Sequence, residues 1–190
     1  MYINATTLAY PISQAQIEAL FPDVSFPTPF IAPPPYAWVF PSPVPSYDPI
    51  THAVREGAPL FTTVWSQVWV VYLLTPAEIA ANQEAAKKNF IDSAKQNAVI
   101  YMDDFAKTRD YRSASTCCGF AGSAFAQAAA DAAYLKPARD SVAAAAYAML
   151  DQVATGAIPI PDMAAFMASL PVLAWPNPET HAAVDGYAVW

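Results

Sequence analysis

The sequence predicts an α+β fold: a small proline- and aromatic-rich, mainly β module over residues 1–74, then an alanine-rich α-helical hairpin over 75–190, with a short extra helix and an extended C-terminal tail. Three observations predict it. Thirteen of the 19 prolines lie in the first 76 residues, along with most of the large aromatic side chains. The run from Leu60 to Leu74 is β-branched and aromatic with period-two texture, whereas the chain beyond Thr75 is rich in alanine with apolar positions at helical spacing. Thr75-Pro76-Ala77-Glu78 marks the change: Thr75 caps, Pro76 sits where its missing amide costs nothing, and Glu78 reaches back to the cap.

Taken in order, Ser13-Gln14-Ala15-Gln16 is a capping box, and Ile17, Leu20 and Phe21 give a short apolar stripe ended by Pro22, so a two-turn helix is expected there. From Pro27 to Pro49 the prolines remove ladder donors and hold φ near about −65°, which predicts polyproline-like or edge conformations and no tight central sheet. Tyr36 to Phe40 is its best strand. Two further strands are expected, His52 to Glu56 and Thr62 to Leu73. The second sets Trp65, Gln67, Trp69 and Val71 on one face and Val64, Ser66, Val68, Val70 and Tyr72 on the other, both covered.

Ile79, Ala86, Phe90, Ala94, Val99, Met102 and Phe105 keep a helical stripe to Lys107, with Glu84–Lys88 and Asp103–Lys107 pairs on the wet side. That is a helix of about 30 residues and roughly 45 Å. Arg109 to Thr116 reads as a polar break. Helix resumes over Ser123–Leu135 and Ala138–Ala154, kinked or split by Pro137 and stopped by Gly156. Pro161-Asp162 opens a short helix through Leu170, and the residues from Pro171 onward read as extended. Small side chains on the second helix let axes approach closely but bury little area, so self-association or docking on a larger assembly is expected.

Composition bounds the chemistry. The chain has 55% apolar and 13% charged residues, enough to build a core. A net charge of −7 repels phosphate and anionic lipid, so neither nucleic acid nor membrane is an expected partner. The apolar run Val68 to Leu74 has seven residues, far below the roughly 20 needed to cross a bilayer. Met1-Tyr2-Ile3-Asn4 has neither the basic nor the apolar region of a secretory signal, which leads to the expectation of a cytoplasmic chain in which the sequon at Asn4 is a chance match.

No motif supplies a catalytic centre, and no cofactor or metal is expected. His52 and His181 lie far apart without partners at ligand spacing. Adjacent Cys117 and Cys118 lack zinc or redox spacing and read as two buried thiols. Asp103 and Asp104 point about 100° apart on a helix, so one caps or pairs and the other is solvated. Gly119-Phe120-Ala121-Gly122 has no preceding strand and reads as a turn or close helix contact. What remains is aromatic surface: Tyr36, Trp38 and Phe40 between prolines, with Trp65 and Trp69, are the candidate partner-binding anchors.

Three segments carry a family resemblance. They are Tyr10-Pro11-Ile12-Ser13 through Phe21-Pro22-Asp23-Val24-Ser25-Phe26-Pro27; Glu56-Gly57-Ala58-Pro59 with Trp65-Ser66-Gln67-Val68-Trp69-Val70 and Leu74-Thr75-Pro76-Ala77-Glu78; and Arg109-Asp110-Tyr111 through Ala138-Arg139-Asp140-Ser141-Val142, Gly156-Ala157-Ile158-Pro159-Ile160-Pro161 and Leu170-Pro171-Val172-Leu173-Ala174-Trp175-Pro176. In this order they resemble the small tail fibre accessory proteins, or fibre assembly chaperones, of tailed bacteriophages. The chain departs from that pattern at Pro137-Ala138, which stand where relatives carry an aromatic before the Arg-Asp pair. The resemblance implies a non-enzymatic protein that binds the phage tail fibre in the host cytoplasm during assembly, with baseplate proteins or copies of itself as further partners, and a place in the virion tail as the alternative. It implies no catalytic residues. A fibre-processing or glycan hydrolase is the remote alternative, since it would need two opposed carboxylates in a cleft.

Overall fold

The structure, a computed structural model, describes residues 1–176. It is an α+β chain in two compact units, Met1–Asn82 and the residues from Gln83 onward. The first unit holds the short strands β1 (Tyr2–Asn4), β2 (Tyr36–Phe40), β3 (His52–Glu56), β4 (Leu60–Phe61), β5 (Trp65–Ser66) and β6 (Trp69–Leu73), with helix α1 (Gln14–Leu20). Helix α2 (Pro76–Lys107) starts in this unit and runs on into the second, which adds α3 (Ala114–Cys118), α4 (Ala126–Thr155) and α5 (Met163–Ala168). The first two turns of α2 stay with the strands because Asn82 donates to the carbonyls of Pro49 and Ile50, so the division falls after Asn82 instead of after Leu74.

In α1 the capping box forms as its residues dictate: Gln16 N donates to Ser13 Oγ at 3.2 Å and Ser13 N to Gln16 Oε1 at 2.7 Å. Ile17 is its one buried side chain, whereas Leu20 is exposed and Phe21 has left the helix to become its C-cap. The expected three-residue stripe therefore reduces to one anchor.

The sheets differ from expectation in two respects. One sheet has the order β1-β2-β5-β4, with β1 antiparallel to β2 (Tyr2 opposite Trp38) and β5 parallel to it (Val39 beside Trp65). Thus β2 is an interior strand within the Pro27–Pro49 stretch where a central sheet was not expected. The prolines flank Tyr36–Phe40 without interrupting it, so the strand keeps every amide from Ala37 to Phe40 for its neighbours, while that of Tyr36 donates to Pro33 O in the preceding turn. Second, Thr62 to Leu73 is not one strand. A turn in which Thr62 N donates to Val64 O separates β4 from β5, and the chain changes sheets between Gln67 and Val68. Gln67 N still donates to Phe40 O at 2.8 Å, while Val68 O already accepts from Gly57 N at 2.8 Å, which begins the antiparallel β3–β6 ladder. The Gln67 side chain ties the crossing down, donating to Glu56 and accepting from Ser42 N. Gly57 lets the strands approach closely there: a Cβ would meet Val70 Cγ2 at 3.0 Å, so that side chain would have to shift.

The core of the first unit is thin. Its buried apolar side chains are Tyr2, Ile3, Ile17 and Val39, whereas Val70, Val71, Tyr72 and Leu73 on β6, expected to be covered, are all exposed.

The junction before α2 matches its sequence signals: Glu78 N donates to Thr75 Oγ1, Thr75 N donates to Glu78 Oε2 at 2.8 Å, and the cap hydroxyl donates to the same carboxylate oxygen. These bonds hold the Glu78 carboxyl below its ordinary range. Further along, Ala94, Ala98, Met102 and Ala106 face the core, while Val99, one step round the helix from Ala98, is exposed. The wet-side pairs are Glu84–Lys87, Lys88–Asp92 and Asp104–Lys107, so lysines of α2 select different carboxylates from those expected. Asp103 is engaged elsewhere: its Oδ1 accepts from Ala114 N at 2.9 Å, at the start of α3. The expected polar break over Arg109–Thr116 includes the first residues of that helix, capped by Ser113.

Helix α4 passes through Pro137 as a single element and ends at Gly156, whose φ of 73° is the left-handed C-cap conformation. Pro137 is exposed, while Leu135 and Val142 on either side are wholly buried in one core, and that shared anchorage offsets the lost helix bond. Phe166 of α5 enters the same core, with its ring edge against Phe90 at 6.0 Å. The segment after α5 lies across it: Tyr101 donates to Pro171 O and accepts from Leu173 N, Ala174 N donates to Tyr134, and the Trp175 indole donates to Thr108. The extended tail can be followed to Pro176; its continuation, with His181, lies outside the described residues.

Candidate partner-binding surface

Residues alternate across a strand, so Tyr36, Trp38 and Phe40 share one face of β2, and Ala37 and Val39 the other. The pairing fixes what joins them. Tyr2 stands opposite Trp38 and so lies on the aromatic face, whereas Ile3, opposite Ala37, lies on the buried side with Val39.

The aromatic face is larger than the sequence indicated. Trp38 packs edge-on against Tyr2 at 5.1 Å, Tyr2 against Phe30 at 5.5 Å, and Phe30 against Phe26 at 5.0 Å. Phe26 meets Phe21 at 6.5 Å, and Phe21 meets Tyr36 at 6.4 Å, so six rings run in succession from Trp38 to Tyr36. In all but the tilted Phe26–Phe30 pair, edge-to-face geometry sets the positive rim of one ring against its neighbour's negative face, worth about 0.5–1.5 kcal/mol per pair beyond area burial. The loop between α1 and β2 is thereby held by ring contacts, and a shallow groove of about 340 Å³ opens between Tyr2, Phe30, Ile31, Ala32, Tyr36 and Trp38. Trp38 remains 44% exposed and Phe40 49%.

The five expected anchors do not form one platform. Trp65 is in register with Val39 and therefore lies on the face opposite Trp38, with its ring 5.3 Å from that of Phe61. Trp69 belongs to the other sheet, and its indole N–H donates to Ser42 O at 2.9 Å. A four-residue spacing puts two side chains on one face only if the strand is continuous, and here it changes sheets between them. Tyr36, Trp38 and Phe40 stay together; Tyr2, Phe21, Phe26 and Phe30 join as unforeseen members of the surface.

Among the described residues no cluster of three or more His, Cys, Asp or Glu side chains could hold a metal ion. His52 Nδ1 lies 2.8 Å from Thr51 Oγ1. Cys117 is fully buried, and desolvation, with smaller contributions from the neighbouring Cys118 and Asp131, pushes its thiol up to about 12, which keeps it protonated and inert at neutral pH. Cys118 is only half-buried, so the expectation of two buried thiols holds for one. Tyr10 donates to Glu56, and burial first, then that bond, raises its phenol to about 12.

One buried ionic group was missed by sequence reasoning. Arg109 pairs with Asp131 within the helical core, and Asp131 also accepts from Tyr111 at 3.0 Å and Gln127 at 2.8 Å. Arg109 lies 4.4 Å from the centre of the Trp175 ring, which in turn stacks on Phe105 at 4.4 Å. Arg109 and Asp131 are 22 residues apart, on a loop and a helix, with no local spacing signal to connect them. No helix among the described residues is long and apolar enough to cross a membrane. Compared as a whole, the chain matches no protein-family model, no curated protein and no solved structure.

Proposed function

We propose that this chain is a bacteriophage tail fibre accessory factor of the chaperone class, which binds the fibre through protein–protein contacts and carries out no bond-making chemistry. The observation that carries the reading is the exposed aromatic face of β2, with Trp38 and Phe40 about half open to solvent beside a groove lined by Tyr2, Phe30 and Tyr36. It is joined by the three ordered segments that resemble such factors. Fibre trimers present apolar seams and strand edges, and rigid aromatic side chains of low conformational entropy suit such surfaces. The net charge of −7 keeps the free protein soluble despite that face. Its place of action is the host cytoplasm during assembly, with retention in the virion tail as the alternative fate.

Co-expression with a bacteriophage tail fibre protein, followed by size exclusion, tests the reading. A joint peak is expected, and Trp38→Ala should weaken the complex by about 2 kcal/mol, roughly 30-fold. Two separate peaks with unchanged fibre solubility overturn it. Fixed stoichiometry in purified particles would identify a permanent tail subunit, and absence from them a transient chaperone.

A further inference from the structure

Antiparallel ladders alternate the direction of their amides, so the β3–β6 register states which backbone groups of β6 face outward. Gly57 N donates to Val68 O and Leu74 N to Thr51 O, which makes Val70 and Tyr72 the residues bonded to β3. Trp69, Val71 and Leu73 then point their N–H and C=O groups away from it, and no strand among the described residues pairs with that edge.

Every other edge in this unit is blunted. The outer side of β1 is closed by segment 9–12, through Tyr2 with Ile12 and Asn4 N with Ala9 O. β4 has two residues and follows Pro59 directly. β3 carries the charges of Arg55 and Glu56, and its first outward amide, that of His52, donates to Asp48 O. β6, Trp-Val-Val-Tyr-Leu, has no charge and no proline, and its last four residues are exposed. Such an edge is a template for another strand.

The strand also specifies its occupant. It has five residues with Val71 at the centre, so a second copy laid antiparallel places Val71 against Val71 and Trp69 against Leu73, with the outward groups of both copies in register. About six backbone hydrogen bonds form, two at each of three residue pairs. No like charges are brought opposite one another within the strand, and the interface closes on itself, leaving only the charged β3 edges outermost. We propose that two copies of this chain pair β6 against β6 across a two-fold axis at Val71, making a four-stranded sheet of order β3-β6-β6-β3.

Light scattering on the size-exclusion eluate of the full chain tests this. The expected mass is twice the 20.4 kDa of one chain. Val71→Pro removes an amide that β3 does not use, so the protein should elute at the single-chain mass with an unchanged far-ultraviolet circular dichroism spectrum. Because proline could also unfold the strand, a charge pair gives a second test: Val71→Lys and Val71→Glu should each be monomeric, and their equimolar mixture dimeric. A wild-type protein of single-chain mass throughout the micromolar range overturns the proposal, as does a dimer that survives both charge variants. The fibre reading is judged separately, since a monomer that still co-elutes with the fibre refutes the pairing alone.

Discussion

Replacing Asp131 with alanine removes the acceptor at the centre of the buried Arg109–Asp131 pair of the helical unit. Arg109 and Asp131 have side chains only 5% and 4% exposed, so their charges were desolvated on folding and depend on each other. Breaking such a pair from one side costs about 3–5 kcal/mol, and the Tyr111 hydroxyl and Gln127 amide lose the same carboxylate. Arg109 keeps its position over the Trp175 ring, which places the expected loss near the lower end, about 3 kcal/mol. For a chain of this length that is a fall in Tm of about 6–12 °C. Thermal and urea unfolding followed by far-ultraviolet circular dichroism measure it. Arg109→Met combined with Asp131→Leu should be more stable than Asp131→Ala alone, because no unpaired charge is left buried, but below wild type, because Tyr111 and Gln127 still lack the carboxylate. A loss below about 1 kcal/mol for Asp131→Ala refutes the reasoning, since the charge would then be solvated after all.

The thiols should separate cleanly: iodoacetamide followed by mass spectrometry labels half-buried Cys118 and spares Cys117 until the protein is denatured. A Cys117 pKa raised from 9.0 to about 12 also means that the unfolded chain releases its proton first, so stability falls as pH rises from about 9 towards 12, and Cys117→Ala should flatten that part of the profile. Pro137→Ala at its exposed position in α4 restores an amide donor within the helix and should raise stability by about 2–3 kcal/mol in the same urea titration; no gain would mean that the helix has relaxed around the ring.

Much of the fold was legible where local chemistry decides it. The capping boxes at Ser13 and Thr75, the stop at Gly156 and the strands at Tyr36–Phe40 and His52–Glu56 rest on residues that act on their own neighbours. What was not legible depends on partners distant in sequence. β1 exists because Tyr2–Asn4 pairs with a strand more than thirty residues away, and nothing within Met1-Tyr2-Ile3-Asn4 announces it. The Thr62–Leu73 alternation is real, but alternation reports faces and is silent on which strand lies alongside, so the change of sheet at Gln67 left no trace in the pattern. The candidate surface followed the same division: Tyr36, Trp38 and Phe40 share a face by strand geometry alone, whereas Phe21, Phe26 and Phe30 reach it only through the path of a proline-rich loop.

The strap that crosses the helical core sets an order of events during synthesis. Tyr101 cannot bond Pro171 until 70 further residues have left the ribosome, and Phe105 has no stacking partner until Trp175 follows. Through most of translation, then, the side of α2 that ends up under the strap stays wet and open to chance encounters. Closure of the strap over α2 therefore waits for the chain around residue 175.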